Sequence, residues 1–181
     1  MTNYQKIYEV AANNYGLITS AQAKEIGVSD KEMTSIKNRG RIEHLSHGVY
    51  KIVDYIPVEN DIYATAVTSV GPEAYLYGES VLAMHRLCPV GTKNVYVGTP
   101  KRVRKKLPKW IKIKNNHNDY QPSNYEGISS QSIKDAILSC KKTIMPSHLI
   151  DATEEANRLG LLYGNDYKEV KSILKEQYAT E

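Results

Sequence analysis

Apolar side chains at Ile7, Tyr8, Val10 and Ala11 recur at the spacing of one helical face, which predicts a helix over Asn3 to Asn14 with Gly16 as its left-handed stop. After Leu17-Ile18, the stretch Thr19-Ser20-Ala21-Gln22 is a Thr-x-x-Gln capping box, in which each end satisfies a free backbone donor of the other. It opens a second helix that carries Ala21, Ala23 and Ile26 and stops at Gly27. Ser29-Asp30-Lys31-Glu32 is another such box and opens a third helix, ending near Arg39 with Gly40 as its stop. Two short helices are thus joined by Gly27-Val28-Ser29, a turn in which glycine allows the reversal and Val28 plugs the corner. Past Gly40 the period changes to alternation. Arg41 to Leu45 and Val49 to Val53 read as short strands around a Ser46-His47-Gly48 turn. Helix, helix-turn-helix and hairpin, in that order, make a winged helix-turn-helix.

Beyond Pro57 the pattern begins again. Val58 to Val70 reads as a helix with Ile62, Ala66 and Val70 on one side, and Ser80 to Leu87 as a helix stopped by Cys88-Pro89. Asn94 to Val97 and Trp110 to Lys114 read as strands. Three helices finish the chain, over Gln131 to Lys142, Pro146 to Leu159 and Tyr167 to Tyr178, the last capped by Asp166. The expected architecture is α+β: a winged helix-turn-helix over residues 1–53, then a mixed α/β domain over residues 54–181.

Composition narrows the classes. The chain has 181 residues, enough for one ordinary domain or two small ones, and 41% hydrophobic with 24% charged residues is globular rather than disordered. No apolar run approaches the roughly 18 residues that span a bilayer. The first residues, Met1 to Lys6, lack the apolar stretch of a signal peptide, so a cytoplasmic location is expected. Cys88 and Cys140 stand alone, without the Cys or His spacing that zinc requires.

Charge is distributed unevenly. Ten of the 24 basic residues and none of the 20 acidic ones lie between Ser80 and Asn118, so the rest of the chain is acidic on balance. Such a segment suits a polyanionic partner, although a solvated surface loop has the same composition. Its densest part, Lys101, Arg102, Arg104, Lys105 and Lys106, lies between Pro100 and Pro108. It is expected to neutralise phosphates without reading sequence, and RNA or an acidic protein would suit it equally.

Met33 and Ile36 turn one side of the third helix inward, which leaves Lys31, Thr34, Ser35 and Asn38 on the opposite side and Arg41 at its edge. Asparagine can form paired hydrogen bonds with adenine, threonine and serine reach base edges, and lysine takes guanine or phosphate. Ser29, Lys37 and Arg39 flank this face, while His47 at the wing tip and Lys51 on its second strand complete the expected duplex contacts. The alternative is the ordinary solvated side of an amphipathic helix.

Catalytic signals are sparse. The chain has no GxSxG, P-loop, GxGxxG or HExxH, and no Asp…Glu-x-Lys nuclease cluster can be assembled. His85 has no catalytic partner, and the adjacent Glu154 and Glu155 point in different directions on their helix. No catalytic residue, metal or cofactor is expected.

Four motifs now carry a resemblance. Gly16-Leu17-Ile18-Thr19-Ser20-Ala21-Gln22-Ala23, Gly27-Val28-Ser29, Ile36-Lys37-Asn38-Arg39-Gly40-Arg41-Ile42 and His47-Gly48-Val49-Tyr50 occur in order. Over about residues 5–52 the chain resembles the N-terminal domain of AbiEi-type abortive-infection antitoxins, whose pattern is G-x-I-T-x-x-Q-A, G-h-S (h apolar), L-x-x-R-G-x-I and H/R-G-V-Y. In the second half, Tyr77 to Leu87 is similar to that family's S-x-x-S-A-L-x-x-x-G-L helix, with Arg86 where the pattern has glycine. Val95-Tyr96-Val97 and Glu126-Gly127-Ile128 also have counterparts. The resemblance implies a regulator that represses its own operon at inverted repeats in the promoter. It further implies a C-terminal domain that opposes a neighbouring nucleotidyltransferase-like toxin in type IV fashion, without a stable complex. The other reading of the residues is a winged-helix DNA- or RNA-binding regulator with a partner-interaction domain and no toxin.

Overall fold

Three capping boxes in the computed structural model set the rhythm of the N-terminal third. The structure describes residues 1–91, 93–115 and 120–178. Thr2 and Gln5 open α1 (Asn3–Ala12), Thr19 and Gln22 open α2 (Ser20–Glu25), and Ser29 and Glu32 open α3 (Asp30–Asn38). In each, the hydroxyl accepts the third residue's backbone N–H while that residue's side chain accepts the cap's own N–H. Between α1 and α2 lies β1 (Leu17–Thr19), and after α3 come β2 (Ile42–Ser46) and β3 (Val49–Ile52). They form an antiparallel sheet in the order β1-β3-β2, with Leu17 opposite Lys51 and Ile42 opposite Ile52.

The expected winged helix-turn-helix is present, with one more strand than the alternation disclosed. Strand β1 is only three residues long, and Leu17 and Ile18 are both fully buried, so it shows no in-out period. The core gathers Ile7, Ala11, Ile18, Ala23, Val28, Met33, Ile36, Ile42 and Ile52. Val28 is 1% exposed and fills the corner of the turn. Gly16 has φ 70°, and a Cβ there would lie 2.5 Å from the Tyr55 ring, so both backbone and space require glycine.

The chain divides into two compact units, residues 1–72 with 102–109, and residues 73–101 with 110–181. The first therefore runs past Val53, where sequence placed the boundary, and takes in α4 (Asp61–Val70). Two links join α4 to the wing. Lys51 on β3 pairs with Asp61 at 2.5 Å, both side chains less than a fifth exposed, and the Ser46 hydroxyl donates to the Ser69 carbonyl at 3.4 Å.

In the second unit a five-stranded mixed sheet has the order β6-β5-β4-β8-β7. Its strands are β4 (Tyr75–Leu76), β5 (Val95–Thr99), β6 (Ile111–Asn115), β7 (Ser123–Tyr125) and β8 (Ile128–Ser130). Strands β5 and β6 run parallel, from Val95 opposite Ile111 to Thr99 opposite Asn115. The helices are α5 (Glu79–Met84), α6 (Ile133–Ser139), α7 (Pro146–Arg158) and α8 (Gly164–Tyr178). Strands β4, β7 and β8, two or three residues each, were not foreseen. Asp166 is not the cap of the last helix, which already begins at Gly164; it lies in the first turn, where Lys134 pairs with it at 3.1 Å and with Glu169 at 2.6 Å.

Helix α5 ends in a left-handed turn. Arg86 has φ 55°, and the next N–H, that of Leu87, donates back to Leu82 at 2.8 Å. This is where the resembled pattern carries glycine, the residue that reaches such a conformation without steric cost. Arg86→Gly is therefore expected to raise unfolding stability by about 0.5–1 kcal/mol in urea melts, the left-handed penalty less glycine's added chain entropy. Lower stability would mean that the guanidinium's own contacts outweigh the backbone.

Next to it His85 is half-buried against the Tyr125 ring, centroids 4.3 Å apart, and burial lowers its pKa from the ordinary 6.5. The unfolded chain then binds the extra proton first, so stability is full above about pH 6.5 and declines as pH falls towards the folded pKa. His85→Gln should remove that part of the decline in melts at pH 5, 6, 7 and 8. Parallel curves for variant and wild type would show that another group causes it.

Candidate nucleic-acid interface

Helix α3 is anchored by two side chains and open elsewhere. Met33 and Ile36 are buried at 1% and 7% exposure, while Lys31, Thr34, Ser35, Lys37, Asn38 and Arg39 are all exposed. Lys31, Ser35 and Asn38, spaced by three and four residues, share a face and have no side-chain partner among the described residues. Thr34 joins them, although its hydroxyl donates to the Asp30 carbonyl at 2.9 Å, which leaves its methyl and oxygen lone pairs outward. The helix thus carries uncommitted donors and acceptors of the kind that read base edges.

Not every expected contact residue is free. Ser29 commits its hydroxyl to the cap: it donates to Glu32 Oε2 at 2.8 Å and accepts the Glu32 N–H at 3.3 Å. The Ser29 backbone N–H, its hydroxyl and the Asn3 amide all donate to the Glu32 carboxylate and hold it below the usual range. Lys51 faces Asp61 in its half-buried pair and stands 5.4 Å over the Tyr55 ring, so it braces α4 instead of projecting from the wing. His47 is exposed at the wing tip. Arg41 is exposed, 5.3 Å over the Tyr4 ring and 3.6 Å from Asp54.

One feature escaped the sequence reading. Thr2, Asn3 and Tyr4 at the start of α1 face Glu32, Ser35, Ile36 and Arg39 along α3, and with Arg41 they line an open cleft beside the exposed face. The Thr2-x-x-Gln5 box was the available signal, because it fixes where α1 begins.

The basic run separates into three kinds of side chain. Lys101 pairs with Glu73 at 2.7 Å, so a carboxylate distant in sequence neutralises it. Lys105 is half-buried, and loss of solvent lowers its pKa. Arg102, Arg104 and Lys106 are exposed and make no ion pair among the described residues.

Elsewhere the chemistry is quiet. Glu154 pairs with Lys171 at 2.8 Å and accepts from the Tyr167 hydroxyl, while Glu155 pairs with Arg158 at 2.5 Å. Burial pushes the Cys140 thiol up to about 12 and raises that of Cys88, which keeps both protonated and poorly nucleophilic. No cluster of three metal-ligating side chains occurs among the described residues, and none of their helices is long and apolar enough to cross a membrane.

Residues 5–53 match a family model described as transcriptional regulator, AbiEi antitoxin. The matched segment runs from α1 to the end of β3, and over it the resemblance to AbiEi-type antitoxins holds. No curated protein matches the chain. The AbiEi motifs sit mainly on residues that set the fold. Gly16, Gly27, Gly40 and Gly48 all have positive φ, Thr19 and Gln22 cap α2, and Val28, Ile36, Ile42 and Val49 are buried. The AbiEi pattern leaves Lys37, Asn38 and Arg41 unspecified, and these are exposed.

The two roles can be separated at Ser29. Ser29→Ala should cost about 1 kcal/mol of stability through the lost cap. DNA affinity measured well below the melting transition should stay at the wild-type value. A clear loss of affinity in a fully folded variant would return Ser29 to the contact surface.

Proposed function

We propose that this protein is a transcriptional autorepressor whose α3 enters the major groove of duplex DNA at inverted repeats in its own promoter. The observation that carries this reading is the open face of α3: Lys31, Thr34, Ser35 and Asn38 exposed on the second helix of a helix-turn-helix. In that arrangement the second helix contacts base edges and the wing lies beside it, so His47, Lys37, Arg39 and Arg41 would meet backbone or groove edge. The acidic Asp30 and Glu32 in the first turn are drawn into the cap and the Lys24 pair, which limits their repulsion of phosphate. Action on its own promoter would place the protein in the cytoplasm.

A further part of the proposal is that the second unit opposes a nucleotidyltransferase-like toxin without forming a stable complex; the match to an antitoxin regulator model supports an antitoxin role in general. That match ends at residue 53, before the second unit. A DNA- or RNA-binding regulator whose second unit serves another partner is therefore the rival reading. An adjoining nucleotidyltransferase gene decides between them, together with protection of cells from its product. A chain altered only in the second unit should repress but not protect.

For the interface, Asn38→Ala and Thr34→Ala should each weaken promoter binding by roughly 1–3 kcal/mol and leave binding to random duplex almost unchanged, because each removes a contact to a base edge. Competition titrations on a promoter fragment and a scrambled duplex measure both quantities. Wild-type discrimination in both variants would mean that α3 does not read bases.

A further inference from the structure

Parallel strands cannot be joined by a hairpin, so the chain must cross from the end of β5 to the start of β6. Such crossovers are usually helical, but here residues 100–110 contain neither helix nor strand. Exposure along the crossover nevertheless alternates. Arg102, Arg104 and Lys106 are exposed, whereas Val103, Lys105 and Leu107 are half-buried. A two-residue period is that of an extended chain, interrupted here by a bend at Lys105; on extended backbone successive outward side chains stand roughly 7 Å apart. Pro100 and Pro108 bracket the segment and favour extended backbone before them. Although its ends continue into the second unit's strands, residues 102–109 belong to the compact unit that contains α3.

We propose that residues 102–106 form a cationic strap that lies along the backbone of duplex DNA, with Arg102, Arg104 and Lys106 as three phosphate contacts. The DNA-binding unit is then assembled from two separate stretches of chain, and the inference rests on the reading of that unit as a DNA binder. A merely solvated loop gives no reason for Val103 and Leu107 to alternate inward, or for three neighbouring cations to stand without a carboxylate among the described residues. Fully extended, Arg102 to Lys106 would span about 13 Å, and the bend at Lys105 shortens this. Duplex DNA carries one negative charge per about 1.7 Å of axis, so that length offers ample phosphates for three cations. Lys101 and Lys105 are outside the contact set, the first held by Glu73 and the second turned inward.

The test is a salt titration of the full chain on a fluorescein-labelled random duplex, read by anisotropy. Each neutralised phosphate contributes about −0.9 to the slope of log K against log salt. Arg102→Ala/Arg104→Ala/Lys106→Ala should therefore flatten the slope by roughly 2–3. The corresponding triple glutamine variant, which keeps longer stems, should do the same if the alanine protein melts early. Lys93→Ala/Lys112→Ala/Lys168→Ala removes the same charge from exposed sites in the second unit and should leave the slope unchanged. A wild-type slope in the strap variants overturns the proposal, as does equal flattening in the control. Loss confined to a labelled RNA hairpin, with duplex DNA unaffected, also overturns it. Promoter discrimination by Asn38→Ala reports on α3 independently. A flattened slope with unchanged discrimination would keep the strap and sink the recognition helix, and the reverse result would do the opposite.

Discussion

Burial of Met33 and Ile36 under α3 is the contact on which the interface depends. These two side chains, three residues apart, meet a core that includes Ile7, Val28 and Ile42, and they fix the rotation of the helix about its own axis. Each contributes about 1.5–3 kcal/mol by leaving water. With only two buried anchors on a nine-residue helix, the remaining positions, apart from Asp30 and Glu32 in their pair and cap, face outward uncommitted to the core. The capping box at Ser29 then fixes where the helix begins, and the left-handed Gly40 fixes where the chain leaves it. Rotation and start point together set which four side chains are presented, before any contact with a ligand is made.

Much of this was legible because it is local. A capping box, a stop glycine and a two-residue alternation each fall within a few positions, and so α2, α3 and the wing could be read directly. What escaped lies between distant segments. Strand β1 exists because Leu17 to Thr19 pair with β3, and a stretch buried on both faces shows no period. The dipeptide strand β4 is defined only by its neighbours β5 and β8. The first compact unit extends to Pro72, with Lys51 paired to Asp61 on α4, and Lys101 is paired with Glu73, contacts that the apolar and polar pattern does not reveal. The exposed face of α3 was legible as a pattern, but not which hydroxyls were already engaged: Ser29 and Thr34 both bond within their own helix turn.

The two stretches that form the first unit differ in what they can contribute. Helix α3 offers short polar side chains at fixed angles, suited to distinguishing bases but weak in net charge, since Asp30 and Glu32 offset Lys31 and Lys37. Residues 102–106 offer spaced cations without groups that distinguish bases. Base reading with little electrostatic attraction gives specificity at low affinity, and charge alone gives affinity without specificity. A unit built from both would have each property from a different part of the chain, and each could change without disturbing the other.

This separation also bears on what the family match can carry. The AbiEi motifs occupy glycines at positive φ, caps and core positions, and so they favour formation of a winged helix, whereas Lys31 and Thr34 lie outside the four motifs and Asn38 at an unspecified position within one. Because those side chains point away from the core, exchanging them costs little stability, and a surface substitution away from caps and pairs typically changes it by no more than about 0.5 kcal/mol. The fold therefore places no constraint on them, and DNA would be the only partner to do so. A chain with these motifs could keep its scaffold while its exposed α3 side chains change, so the match over residues 5–53 speaks for the scaffold, and any sequence reading proposed for it would rest on the four side chains of α3.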